Sequence, residues 1–562
     1  MVRHAAQGLE HGGLSGPNFA LCYTGDAYST SAKIMGRQSA GKALMKGVAR
    51  RWTDGEIHGF GASRAPGQAM ARQLKGDGFT GTVRWRMAPG DDVLSQLGAV
   101  YYPAPVTLDL AHARNTRGPT SYSLFGVTHT LSSEAAMDSL GRLAIAPFQP
   151  WDGLICTSTV ALSVARRLQA EMRDWQVEHL GATRFNTPAM KVIPLGVDAP
   201  ARARTPDRIA QARGALGLSD DDVAFLFAGR LVFHGKANPA IFYRAAEAAQ
   251  ARVSQRVVCI DAGVYPNEQI AKSYREARAE LAPSVRFIEI DGAVDADYDN
   301  AWKAADVFTS LSDNIQETFG LTPVEAMAAG LPNLVSDWNG YKDTVREGVD
   351  GFRIPTLAPA PAWGTGADLG LRHALGQDNY DFLIGRASMA TVVAFEPLVD
   401  RIVDLASDPA LRRRMGEAGR ARAVADYDWP VILDRYCDFA ADLGELRRAA
   451  ASLRTRPPVP FPLRPDPFAL FQDHPTAHPG DDWTVTAMPL DERGLDRFLD
   501  LHMANYVMDD AVLPESTLRA ILAEASAKSH TIGTLLAAVG RTFVSEKALM
   551  WLMKFDILRA QP

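Results

Sequence analysis

The stretch from Ser312 to Gly330, SDNIQETFGLTPVEAMAAG, sets two carboxylates, Glu317 and Glu325, around a glycine-bearing turn that opens a short helix. Thr322 suits an N-cap, Pro323 the first helical position, and Glu325 falls at N3, so the spacing predicts a capping box. Gly330, followed by Leu331 and Pro332, predicts a stop after about two turns. Phe319, Gly320 and Leu321 precede the cap, and the missing side chain at Gly320 lets a ligand approach the backbone. Amides at a helix start favour an anion such as a phosphate. On spacing alone Glu325 reads as a cap. Glu317 follows an apolar strand, AADVFTSLS, and has no helix to cap. Two carboxylates beside a phosphate repel it, so compensating cations must come from elsewhere in the chain.

The segment AFLFAGRLVFHGKANP supplies them, with Arg230 leaving a strand end and Lys236 in the glycine-containing loop that follows. Unit charges ~4 Å apart at an effective dielectric of ~20 interact by ~4 kcal/mol. A helix dipole adds only ~0.3–1 kcal/mol, so it cannot replace the cations.

The elements that must position these residues alternate. PNFALCYTG, GAVYYPAP, SLFGVTHT, DGLICTS and MKVIPLGVD read as buried strands, with helices such as SAGKALMKGVARRW between them. After Asp198 the pattern restarts with DVAFLFAGR, QRVVCIDAG, SVRFIEIDG, ADVFTSLS and LPNLVSDW. Two such blocks predict an α/β protein of two Rossmann-like, doubly wound domains, 1–198 and 199–395, facing a cleft outside the carboxyl ends of their strands. The alternation loosens over 356–394, which reads as an insertion. Helices over 396–452 are expected to pack back on the core. A proline-rich stretch, 453–481, reads as a stiff linker, and 482–562 as a small, mostly helical module.

At 562 residues the chain needs about three domains, and its net charge of −6 argues against a protein devoted to nucleic acid. The four cysteines (Cys22, Cys156, Cys259, Cys437) lack metal spacing and read as free thiols. MVRHAAQGLEHGG has no apolar core of a signal peptide and no run approaches a membrane span, so a soluble, cytoplasmic protein is expected.

With these motifs in place, the chain resembles the family-4 retaining glycosyltransferases of GT-B fold across most of residues 20–440. The resemblance is carried by KVIPLGVD (Lys191 to Asp198), AGRL with Arg230 and Lys236, the E-x7-E pair in SDNIQETFGLTPVEAMAAGLP, and REGVDGF (Arg346 to Phe352). It implies that Arg230 and Lys236 hold the donor's diphosphate and that Glu325 accepts hydrogen bonds from the nucleotide ribose. It further implies that Glu317 faces the donor sugar while Phe319, Gly320 and Leu321 offer amides. His129, in FGVTHTLSS, matches a histidine close to the reacting sugar. The implied donor is a UDP- or GDP-sugar, and the acceptor a glycan or lipid-linked glycan. No cofactor and no metal are required: Arg230, Lys236 and the helix start at Thr322 do that work.

Gly36 to Lys42 fits G-x-x-x-x-G-K, but Ala43 stands where a Walker A loop needs a magnesium-binding hydroxyl. In the glycosyltransferase reading this is a glycine loop that closes over the donor from the opposite domain, with Gly41 as its contact. The basic residues after it (Lys42, Lys46, Arg50, Arg51) read as a solvated face, with contact to an anionic membrane surface as the alternative. Two other readings stay open: a GT-B epimerase or phosphorylase, and a C-terminal module acting in docking. TIGTLLAAVG and SEKALMWLMKFDIL resemble the helix-turn-helix half of a winged helix, yet few cations face a phosphate backbone, so protein docking or dimerisation is favoured over DNA binding.

Overall fold

The computed structural model describes residues 16–28, 36–87, 91–145, 147–450, 461–462, 464–506 and 513–562. Its larger unit, Met1–Phe461, is built on two parallel sheets. The first contains β1 (Ala20–Cys22), β2 (Glu56–Phe60), β3 (Thr82–Arg86), β4 (Ala99–Tyr102), β5 (Ser123–Val127), β6 (Gly153–Cys156) and β7 (Ala189–Val192), in the order β3-β2-β1-β4-β5-β6-β7. The second contains β8 (Asp222–Ala228), β9 (Arg256–Gly263), β10 (Arg286–Asp291), β11 (Val307–Ser310), β12 (Asn333–Ser336) and β13 (Gly351–Ile354), in the order β10-β9-β8-β11-β12-β13. Both doubly wound domains expected from the alternation are present.

Three strands of these two sheets escaped the sequence reading. TVRWR (β3) is an edge strand with half-exposed side chains, and β2 carries a histidine and a glycine, so neither shows the apolar run of a buried parallel strand. The third, β13, lies inside REGVDGF, which was read only as a motif. The central strands behave as parallel strands should: β5, β6, β11 and β12 are buried along their whole length because helices cover both faces.

The last helix of the unit, Trp429–Ala450, returns to the first domain. Val197 donates its N–H to the Tyr427 carbonyl and accepts the Trp429 N–H across the crossover, and Tyr436, Phe439 and Leu443 enter the first sheet's core beside Tyr101 and Phe125. Polar contacts at the start of the Thr159–Leu180 helix tie the domains directly. Ser158, the N-cap of the Thr159–Leu180 helix, donates to the Thr318 carbonyl at 2.9 Å. Thr159 donates its N–H and hydroxyl to the Asp343 carboxylate at 2.5 and 2.8 Å.

The 356–394 segment is pinched at its base by an antiparallel pair, β14 (Thr356–Leu357) with β15 (Val392–Val393), and carries two helices, Gly364–Ala374 and Tyr380–Met389. The second unit, Pro462–Pro562, is helical apart from a three-stranded antiparallel sheet. That sheet comprises β16 (Thr484–Ala487), β17 (His530–Thr531) and β18 (Leu558–Gln561), in the order β17-β16-β18. Its paired helices Ile532–Val539 and Phe543–Lys554 each begin with a capping box and are joined through Gly540. All four cysteines are free thiols; burial pushes Cys22 and Cys156 up to about 12 and Cys437 up to about 11. Among the described residues no helix is long and apolar enough to cross a membrane.

The first domain rests on a fully buried ion pair. Asp152 accepts from the Arg114 guanidinium, from the Leu124 N–H at 3.0 Å and from the Gln149 N–H at 2.9 Å, and both side chains are sealed from solvent. Removing the carboxylate strands a buried cation, so Asp152→Ala is expected to lower stability by about 3–5 kcal/mol. A chemical-denaturation midpoint unchanged from wild type would contradict this account.

Candidate functional site

In the second sheet the strand order reverses between β8 and β11, and a crevice opens at the carboxyl ends of those two neighbours. Arg230 and Lys236 lie on the loop leaving β8; Gln316 and Glu317 lie on the loop leaving β11. The two loops are stitched together. Ser312 donates its hydroxyl to the Lys236 carbonyl at 3.2 Å, and Asn314 donates its amide to the His234 carbonyl at 2.5 Å. The site residues then meet in pairs: Lys236 Nζ lies 3.2 Å from Glu317 Oε2, and Arg230 Nη2 donates to Gln316 Oε1 at 3.1 Å.

The helix at the centre of the motif spans Leu321–Ala328 and starts two residues earlier than a Thr322 cap would allow. Its N-cap is Gly320, left-handed at φ 89°, with no side-chain capping bond. A Cβ at Gly320 would stand 2.3 Å from Cε1 of Tyr341, a fully buried ring whose hydroxyl pairs with Ser310 at 2.8 Å. No other residue type fits both the torsion and the space. The capping-box reading is therefore corrected. Glu317 is the residue that organises the helix start: its Oε1 accepts the N–H of Thr318 at 3.2 Å and of Gly320 at 3.1 Å. Glu325 caps nothing and pairs with Arg202, whose guanidinium also lies over the Trp302 ring at 5.0 Å. The stop at Gly330 stands, with φ 71° and the Leu331 N–H returning to the Ala326 carbonyl at 2.9 Å.

Electrostatics follow from these contacts. Burial alone would raise the Glu317 carboxyl, but the Lys236 ammonium and the Thr318 and Gly320 amides outweigh it and hold the group below its ordinary value. Asp313, four residues earlier on the same loop, goes the other way. Burial pushes it up to about 7, and the Ser388 hydroxyl and Asn238 amide offset this only in part.

The other expected residues fall as follows. Phe319 is buried against Tyr427, so only its backbone can serve a ligand. Leu321 and Thr322 occupy the first helical turn at the crevice. His129 sits on the loop after β5, and its Nε2 lies 3.0 Å from the Pro103 carbonyl, which can only accept, so that nitrogen carries the proton. Gly41 is not in a loop. Gly36–Arg51 is a helix, and the missing Cβ at Gly41 admits the Ala27 carbonyl, 2.0 Å from where a Cβ would stand; residues 29–35, before Gly36, lie outside the described residues. The basic helix keeps Lys42, Lys46 and Arg51 exposed, with Arg50 half-buried, and pairs its charges: Lys46 and Arg50 meet Asp198, Arg50 also meets Asp428, and Arg51 meets Asp434. The sequence reading missed Gln316, Arg202 and Tyr380. Gln316 adjoins Glu317 and was open to the same argument; Arg202 follows the domain junction, and its pairing depends on the tertiary fold.

What the fold and crevice define is a two-domain parallel α/β protein whose second domain presents two cations and two acids at its switch point. Residues 209–360, the body of that domain, match the family described as Glycosyl transferases group 1. The chain is 33% identical over 175 residues to D-inositol 3-phosphate glycosyltransferase of Saccharomonospora viridis, covering 30% of this chain and 39% of that protein. It is 26% identical over 261 residues to phosphatidyl-myo-inositol mannosyltransferase of Mycobacterium tuberculosis (strain CDC 1551 / Oshkosh), covering 46% of this chain and 54% of the relative. The chain thus spans about half the length of the latter. Among solved structures, Anabaena Alr3699/HepE in complex with UDP aligns at 16% identity, 75% of this chain and 99% of that one, with a TM-score of 0.44.

The raised Asp313 carboxyl sets a pH dependence. Its folded value of about 7 exceeds the unfolded 3.8, so the native state binds more protons between those values and stability falls as pH rises through that window. Asp313→Asn is expected to flatten that fall. Melting midpoints of both proteins at about pH 5 and about pH 8 check it, and an equal drop in the variant contradicts the assignment.

Proposed function

We propose that the chain is a retaining glycosyltransferase that moves a sugar from a nucleotide-diphosphate donor to an acceptor in glycan or glycolipid synthesis, without a metal. The observation that carries the reading is the meeting of Lys236–Glu317 and Arg230–Gln316 at the β8/β11 crevice, against a helix start. The group 1 match over 209–360 supports it, since that segment supplies every one of these residues.

Glycosyl transfer passes through an oxocarbenium-like state in which the bond to the diphosphate breaks early, so the protein's main task is to stabilise charge on the departing phosphate. In this reading Arg230 and Lys236 meet the diphosphate, and the amides of Leu321 and Thr322 face it from the helix start. Glu317 keeps Lys236 aimed across the crevice. Arg202 engages Oε1 of Glu325, so the ribose hydroxyls fall to Oε2. The acceptor attacks on the face the diphosphate leaves, and a phosphate oxygen takes its proton. His129 contributes from the first domain, beside the reacting sugar. The names of the relatives make D-inositol 3-phosphate and phosphatidyl-myo-inositol the first acceptors to try, with UDP- and GDP-sugars as donors.

Donor binding stabilises the folded state by mass action. UDP, GDP or ADP is expected to raise the melting midpoint of the wild type, and Arg230→Ala and Lys236→Ala are expected to lose that shift and most transfer, Arg230→Ala keeping its unliganded midpoint and Lys236→Ala lowering it because Glu317 loses its cation. A wild-type shift in both variants contradicts the reading.

A further inference from the structure

The 356–394 segment has no part in the mechanism above, yet one of its side chains reaches the centre of the crevice. Its two helices are locked at their junction. Asp378, 3% exposed, accepts from Arg372 Nε at 2.9 Å and Arg386 Nε at 3.0 Å, and its carbonyl pairs with His373 Nδ1 at 2.9 Å. Asn379 then caps the second helix by accepting the Phe382 N–H at 3.0 Å. That helix rests on the site loops: Ser388 bonds Asp313, and Met389 Sδ lies 4.0 Å from the Asn238 amide. Tyr380, the first residue of this helix, is therefore held in place from behind.

Its hydroxyl meets both domains at once. Ser132 Oγ lies at 2.8 Å and Thr130 Oγ1 at 3.4 Å, on the loop that carries His129; Gln316 Nε2 lies at 3.3 Å. The far end of that amide, Oε1, accepts from Arg230. A guanidinium has only donors, so Gln316 must show it the oxygen and turn its NH2 to Tyr380. One continuous chain results: Ser132, Tyr380, Gln316, Arg230.

We propose that Tyr380 is a positioning residue of the site: its hydroxyl orients the Gln316 amide, and through it the Arg230 guanidinium, and ties that orientation to docking of the 130–132 loop of the first domain. The claim rests on the donor-site reading above and adds to it. The cation that meets the diphosphate is set from the insertion, and it is fully aligned only when the first domain is docked.

The test uses the full chain. Dissociation constants for UDP, GDP and ADP are measured by calorimetry on wild type, Tyr380→Phe, Gln316→Leu, the double variant and Arg230→Ala, with unliganded melting midpoints alongside. Each of the first two variants is expected to weaken the nucleotide that the wild type binds best by about tenfold, and the double variant by no more than either, because both changes break one chain of contacts. Midpoints should stay near wild type. A staple acting on stability alone would lower the midpoint and leave the Gln316 coupling at zero. Tyr380→Phe binding as tightly as wild type, or effects that simply add, overturn the positioning claim while Arg230→Ala still loses binding. If Arg230→Ala binds normally, or no nucleotide binds the wild type, the donor-site reading itself falls and takes the claim with it.

Discussion

Two backbone N–H groups and one ammonium converge on the Glu317 carboxylate, and the cleft takes its shape from that meeting. Hydrogen bonds to a charged group each contribute about 1.5–3 kcal/mol, more than a neutral pair. One oxygen fixes the turn at Thr318 and Gly320, which forces the left-handed torsion that only glycine accommodates against Tyr341. The other holds Lys236, and with it the loop leaving β8. The carboxylate therefore couples a helix start, a cation and two strand ends. Turning it to another task would release all of them together.

The two domains meet through short polar contacts and through one apolar cluster that holds Phe319, Val324 and Met327 together with first-domain side chains. Ser158 reaches the Thr318 carbonyl, and Asp343 meets both donors of Thr159 at the start of a long helix, where a negative charge is also favoured by the helix dipole. Because Thr318 is bonded on its N–H side by Glu317 and on its carbonyl side by Ser158, the turn that shapes the site is also a point of domain contact.

Much of this was legible in the amino-acid order. Parallel strands buried on both faces announce themselves as apolar runs, which is why the central strands of both sheets were found and the polar edge strand TVRWR was not. Arg230, Lys236 and Glu317 could be named because charge balance demanded cations near paired acids. The division of labour between the acids could not. A T-x-x-E spacing is local information and predicts a capping box, but Gly320 and Tyr341 are brought together by the fold, and the helix starts two residues earlier. The glycine-rich segment failed for a similar reason: Gly41 serves a helix packed on the Ala27 carbonyl, and sequence alone does not separate a glycine needed for close packing from one needed for a turn. Tyr380 lies in a segment without periodicity, where no pattern marks a residue that acts across the fold.

The two-residue ladder of β14 and β15 gives the insertion a further property. Its ends leave and rejoin the domain side by side, Thr356 opposite Val393, so the parallel sheet does not register how much chain is looped out between them. Lengthening such a loop costs only ~0.6 kcal/mol for each doubling. The outer surface of the excursion can thus vary, and with it what the chain meets in solution, while Tyr380 and the crevice stay as they are.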